Sequence, residues 1–120
     1  MAPVSVRVCR APPRLCELAR GTLVADGTEQ VVVEHRGAAR VVGYVDLHNM
    51  EEGDSVVIRQ YVRLRPDGPF EKYAEERYDG PQPAPVVYVK PKECGHGVRV
   101  TIQQVAGAPK SFDYCFLKEG

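Results

Sequence analysis

Cys94 and His96 stand two residues apart in Lys90-Pro91-Lys92-Glu93-Cys94-Gly95-His96-Gly97, which raises the chemistry of a thiol nucleophile and its base. Such a pair needs the imidazole within hydrogen-bond reach of the sulfur and a third group to orient it. No nucleophile signature surrounds either residue, and turn geometry accounts for the glycines. A second candidate is the oxygen-rich stretch Asp46-Leu47-His48-Asn49-Met50-Glu51-Glu52-Gly53-Asp54, where Asp46, Asn49, Glu52 and Asp54 could serve a hard cation such as calcium. An EF-hand wants glycine sixth and a bidentate glutamate twelfth, so this stretch reads as a solvated turn. Ser5, Ser55 and Ser111 lie outside any G-x-S-x-G elbow. Glu75 and Glu76 are neighbours on a strand pattern and point to opposite faces, so they cannot share a glycoside substrate. The expectation is a protein that is not an enzyme, with no catalytic constellation, no metal and no cofactor.

The four cysteines, Cys9, Cys16, Cys94 and Cys115, allow three disulfide pairings, and no Cys-x-x-Cys suggests a zinc ribbon or redox site. In a reducing compartment they are buried thiols. On a virion surface or in a hyperthermophile they could pair.

At 120 residues the chain is long enough for one domain with its own core. Sixteen basic residues against sixteen acidic ones leave no formal charge, which argues against a nucleic-acid partner and offers little protection from self-association. Met1-Ala-Pro-Val-Ser-Val-Arg-Val carries no apolar signal-peptide core, and no apolar run is long enough to span a bilayer.

The elements that position these residues are strands. Residues 55–64, SVVIRQYVRL, set Val56, Ile58, Val62 and Leu64 against Val57, Arg59, Tyr61 and Arg63, between the turns Glu51-Glu52-Gly53-Asp54 and Arg65-Pro66-Asp67-Gly68. A period of two in β-branched and aromatic residues predicts a strand with one face in a core. The same grammar predicts strands at 4–8, 29–35, 40–47, 86–89, 98–105 and 111–118, and within 14–24, where Leu15, Leu18 and Ala19 would also suit a helical turn. Asp26-Gly27 is a hairpin signal, and Gly43 inside its strand marks a bulge or a close backbone approach. Residues 70–78 have no apolar face and belong at a sheet edge. About nine strands and no convincing helix predict an all-β fold, an antiparallel β-sandwich or jelly roll.

Tyr61, Arg59 and Arg63 share one strand face, Tyr73 and Arg77 share another, and Tyr44 lies opposite the apolar Val41, Val45 and Leu47. If these strands form one sheet, the result is a Tyr/Arg/Glu surface of the kind enriched at protein interfaces. Stacked tyrosines could alternatively bind a sugar near 79–85 and 90–97, although the chain has no tryptophan.

The segments Thr22-Leu-Val-Ala-Asp-Gly-Thr-Glu-Gln30, Gly43-Tyr-Val-Asp-Leu-His-Asn-Met-Glu-Glu-Gly-Asp54, Thr101-Ile-Gln-Gln-Val-Ala-Gly107 and Ser111-Phe-Asp-Tyr114 resemble small uncharacterised β-sandwich proteins encoded by viruses and proviruses of thermophiles. That resemblance implies a virion structural role, such as capsid decoration or a minor coat protein. Residues 1–20 are then expected to form an N-terminal strand or arm, and 21–120 the sandwich. The expected function is structural: self-association as a homo-oligomer or binding to a coat protein, in a virion or a cytoplasmic assembly. A carbohydrate- or ligand-binding module is the alternative.

Overall fold

The computed structural model describes residues 15–92 and 94–119. The strand expected at 4–8, and Cys9 with it, lie outside the described residues. The other eight expected strands all form: β1 Leu15–Val24, β2 Gln30–Arg36, β3 Arg40–Asp46, β4 Ser55–Arg63, β5 Phe70–Asp79, β6 Val86–Val89, β7 Gly97–Ala106 and β8 Ser111–Glu119. No helix among the described residues is long and apolar enough to cross a membrane.

Two four-stranded sheets result, in the orders β1-β8-β3-β6 and β2-β7-β4-β5, and every pairing is antiparallel. First pairs with eighth, second with seventh, third with sixth and fourth with fifth. This nesting is the strand order of an eight-stranded jelly roll. β5 ends its sheet, as its charged faces require. β4, with the clearest alternation, has a neighbour on each side.

Alternation fails where bulges intervene. The β1-β8 register shifts between Glu17 and Ala19, so Leu18 and Ala19 both pack against the core, and the spacing that resembled a helical turn belongs to a bulged strand. The division expected after residue 20 falls inside β1, because Arg20 pairs with Cys115 and Gly21 with Tyr114. The β2-β7 register shifts between Val31 and Val33, so Val32 and Val33 are both buried and Val31 is exposed, not the strict alternation their spacing suggests.

Between the sheets lie Val41, Val45 and Leu47 from the third strand and its exit, Val56 and Ile58 from β4, Val98, Val100 and Ile102 from β7, and Phe112 and Phe116 from β8. Burying each such side chain stabilises the fold by about 1.5–3 kcal/mol. Gly43 pairs with Phe116, and a β-carbon there would collide with that ring and with the Cys115 carbonyl. The strand glycine therefore marks a close approach. No buried side-chain polar atom among the described residues lacks a hydrogen-bond partner.

Candidate interaction surface

Once the inward residues are assigned to the core, the outward ones fall on two sheet faces of different character. On the β2-β7-β4-β5 sheet, the register puts Arg59 between Glu75 of β5 and Thr101 of β7, and Tyr61 between Lys72 and Arg99. Arg59 Nε donates to Glu75 Oε1 at 2.9 Å and its Nη1 to Gln103 Oε1 at 2.9 Å, while Lys72 Nζ reaches the same Glu75 oxygen at 2.9 Å. Glu29, just before β2, accepts from the Tyr61 hydroxyl and from Thr101 Oγ1 at 2.6 Å, with Arg59 Nη1 3.7 Å away. Burial pushes the Glu29 carboxyl up, but the Thr101 and Tyr61 hydrogen bonds and the charges of Arg59 and Lys72 outweigh it and leave it below the ordinary value. The same bond, with burial as the larger cause, raises the Tyr61 hydroxyl. Glu34 likewise resists burial, held down by Arg99 at 2.8 Å and Arg36 at 3.0 Å.

Toward one end of this face the Phe70 ring is ringed by guanidiniums, with Arg99 at 4.5 Å, Arg36 at 5.2 Å and Arg63 at 5.6 Å from its centroid. Arg63 also donates to the His96 carbonyl at 2.9 Å. Of the six residues singled out as an interface, Arg59, Tyr61, Arg63 and Arg77 share this face. Arg77 pairs with Asp79 at 2.9 Å, both side chains being exposed.

Tyr73 does something else. The β4-β5 register shifts between Gln60 and Tyr61, which leaves Tyr73 without an opposite residue on β4. Its hydroxyl donates to Gln60 Oε1 at 3.0 Å and accepts the Lys92 amide at 2.7 Å, pinning the 90–96 loop to β4 and β5. Burial raises this hydroxyl as well.

Tyr44 lies on the other sheet. One row across the outer side of β1-β8-β3-β6 reads Arg20, Cys115, Tyr44, Tyr88, and the next reads Thr22, Asp113, Asp46, Val86. Tyr44 and Tyr88 pack ring to ring at 5.3 Å with planes tilted by 51°, and with Val86 each is about half exposed. Tyr44 and Val86 border a shallow groove of about 540 Å³ that also takes in Arg20, Thr22, Asp46 and Asp113, and Tyr88 stands outside it. Asp113 accepts from Thr22 Oγ1 at 2.6 Å, and Asp46 holds both the His48 amide and, at 2.9 Å, its ring Nδ1.

The remaining candidates are dispersed. The oxygens of residues 46–54 do not converge: the Asn49 amide donates to the Ser111 carbonyl at 2.9 Å, and Asp54 is buried against the Glu51 amide and Lys110. Among the described residues no group of three or more His, Cys, Asp or Glu is placed to hold a metal. Cys94 is an exposed thiol and Cys115 a half-buried one, both free, whereas Cys16 is disulfide-bonded. The sugar site expected from 79–85 together with 90–97 does not assemble, because the first segment packs beside Leu47 and Asp54 and the second beside Gly37 and Arg63, at opposite ends of β6.

Sequence reasoning passed over Glu29, Phe70 and Tyr88. Tyr88 was within reach of a stricter reading, since Val87 and Val89 of the VVYV run turn inward and leave Val86 and Tyr88 outside. Glu29 was out of reach, because its role depends on a register that brings it to Tyr61, thirty-two residues away.

No family model matches the chain, and no curated protein matches it in sequence. Its fold is similar to solved structures of a viral protein. One is the infectious bursal disease virus VP2 subviral particle, with a TM-score of 0.51 and 10% identity over 90% of this chain and 32% of that one. Another is the structure of the Gt strain of infectious bursal disease virus, with a TM-score of 0.51 and 11% identity over 90% of this chain and 33% of that one. The chain thus spans about a third of the length of these structures, and at such identity the likeness is one of β-rich fold.

Proposed function

We propose that the protein is a non-enzymatic structural module that assembles with copies of itself or onto a coat protein, as a virion component. The observation that carries this reading is the outer face of β1-β8-β3-β6, where Tyr44, Tyr88 and Val86 form an exposed aromatic and apolar patch, in contrast to the charged pairs on the outside of the other sheet. Contiguous apolar surface rimmed by polar groups is how a monomer presents an interaction site, and tyrosine is favoured there because it combines area with a hydroxyl. A fold shared with proteins of viral particles supports the reading without establishing it, since jelly rolls also serve lectins and cupins. Size-exclusion chromatography with light scattering, followed by electron microscopy of the largest species, tests it. Discrete oligomers, shells or sheets are the expected result, and a monomer at all concentrations that also ignores a coat lattice would sink it.

A second reading rests on the groove beside that patch. Tyr44, with Tyr88 packed behind it, could stack against a pyranose while Asp46, Asp113 and Arg20 bind its hydroxyls. A glycan array separates the two, because an assembly module should give no saturable sugar binding.

A further inference from the structure

The formal charge of zero conceals a polarity along the strands. At one end, the connections 25–29, 47–54, 80–85 and 107–110 pack on one another: Leu47 N donates to Pro85 O at 2.8 Å, Gly80 N to Asp54 O at 2.8 Å and Ala25 N to Lys110 O at 2.9 Å. They expose Asp26, Glu51 and Glu52, with the Glu51 side chain 76% exposed, while Glu29 is turned onto the sheet face toward Tyr61 and Arg59. The lysine or arginine available in these connections is Lys110, mostly buried and held by Asp54 at 3.0 Å and Glu51 at 3.3 Å. One lysine against Asp26, Glu51, Glu52 and Asp54 leaves this end an excess of carboxylates.

The opposite end is cationic. Around the connections 37–39, 64–69 and 90–96, Arg36, Arg40, Arg65, Lys90 and Lys92 are exposed. Behind them, of the three guanidiniums around Phe70, Arg99 and Arg36 share the Glu34 carboxylate and Arg63 donates to the His96 carbonyl. Glu119 lies 3.7 Å from Arg40, and Asp67 sits in the 64–69 loop. Glu93 falls outside the described residues. Guanidiniums fixed against a ring have already given up the side-chain freedom that binding a carboxylate would cost them.

We propose that the arginine cluster around Phe70 and the lysines beside it receive the acidic loop end of a second copy, in a head-to-tail contact. The inference rests on the assembly reading and adds to it a heterologous contact. A patch meeting its own copy closes a dimer, whereas a head-to-tail contact is what propagates rings or extended arrays. Charge complementarity selects the occupant, because one chain carries both halves and they cancel when the ends meet. A nucleic acid would suit the basic end but would leave the acidic end without a partner, whereas a second copy uses both.

Two variants test the contact, both changed at exposed loop positions so that folding, checked by circular dichroism, is kept. Arg65→Glu/Lys90→Glu/Lys92→Glu makes both ends acidic, and Glu51→Lys/Glu52→Lys cancels the negative excess of the acidic end. In sedimentation velocity the wild type should associate at least about tenfold more tightly in about 50 mM than in about 500 mM NaCl. Each variant alone should lose that salt-sensitive association, and an equimolar mixture should regain it. A wild type that assembles equally at both salts, with both variants assembling alike, overturns the contact and leaves the assembly reading standing. A monomeric wild type whose variants associate only on mixing overturns the contact as well, because that association belongs to the introduced charges. No association in any sample overturns both. Binding of a single-stranded oligonucleotide by the wild type but not by the Arg65/Lys90/Lys92 variant, with no association on mixing, reassigns the basic end and overturns the contact.

Discussion

The two sheets solve opposite halves of the same problem. β2-β7-β4-β5 sends Val33, Val56, Ile58, Val98, Val100 and Ile102 inward and covers its outside with pairs among Glu29, Glu34, Arg59, Glu75 and Arg99. β1-β8-β3-β6 sends the large rings of Phe112 and Phe116 inward, the latter made possible by Gly43, and leaves tyrosine and valine outside. A paired polar face gains little from being covered, since its charges would exchange one set of partners for another. An apolar face gains from every Å² removed from water. Substitutions should therefore separate the sheets, with fold stability depending on the interior of the second and the exterior of the first, and association on the exterior of the second.

The largest effect is expected at Gly43. Alanine there must displace the Phe116 ring or the backbone carrying the Cys115 carbonyl, and the carbonyl cannot yield without disturbing the β3-β8 ladder. Gly43→Ala should cost about 3 kcal/mol, at the upper end of ordinary overpacking. Urea unfolding followed by circular dichroism measures it. A variant within 0.5 kcal/mol of the wild type, roughly the scatter of neutral surface changes, would show that the approach is not tight.

Next comes the hub of the paired face. Glu29→Ala removes the acceptor of two hydroxyls, one of them the buried Thr101, and leaves Arg59 with Glu75 and Gln103 alone. The side chain is 35% exposed, so water replaces part of what is lost, and the expected cost is about 1–2 kcal/mol. Tyr61→Phe, which removes one of those donors, should cost less. Were Glu29→Ala neutral, the pairs on this face would be decoration and the contrast between the faces would fail.

Acid should reach the same network. Glu29, Glu34 and Glu75 are all held below the ordinary 4.5: Glu29 and Glu34 against the pull of burial, Glu75 by hydrogen bonds from Lys72 and Arg59. A depressed carboxyl contributes stability that is complete above the unfolded value and is lost as the pH falls through the folded one. Urea midpoints should thus fall below about pH 4.5, and Glu29→Ala should fall less steeply than the wild type there. His35, held below 6.5 by burial and then by the Lys118 charge, titrates in the same sense but begins its loss near pH 6.5, so the two windows can be told apart. Parallel curves for wild type and Glu29→Ala below pH 4.5 would remove Glu29 from the account.

The same contrast explains what the sequence could reveal. Period-two alternation located the strands and most of the inward residues, because burial acts on one side chain at a time. It failed at Leu18, Val32 and Tyr73, where a bulge adds a residue and the period breaks. The outer faces were less legible, since they are assembled from strands distant in the chain. Tyr44 was grouped with Tyr61 on the condition of a shared sheet, and only the strand order separates them. The charge polarity was invisible for a related reason: summing charge along the chain discards position, and alternate loops lie at opposite ends.

The smallest effect on folding should come from the face that matters most for association. Tyr44 and Tyr88 touch each other and solvent, and no core residue depends on their rings. Tyr44→Ser/Tyr88→Ser gives up one ring pair on a half-exposed surface, an expected cost of about 0.5–1 kcal/mol. Association should nevertheless weaken at least tenfold, since about 1.4 kcal/mol of lost interface suffices for that and two buried tyrosines commonly supply more. The contact made by this face is apolar, so the loss should persist at about 500 mM NaCl, where the contact between charged ends is already screened. Light scattering on the double variant at low and high salt therefore reads the face and the ends separately. If the variant assembles as the wild type does at both salts, the exposed tyrosines are surface without a partner, and the ends alone must account for any assembly.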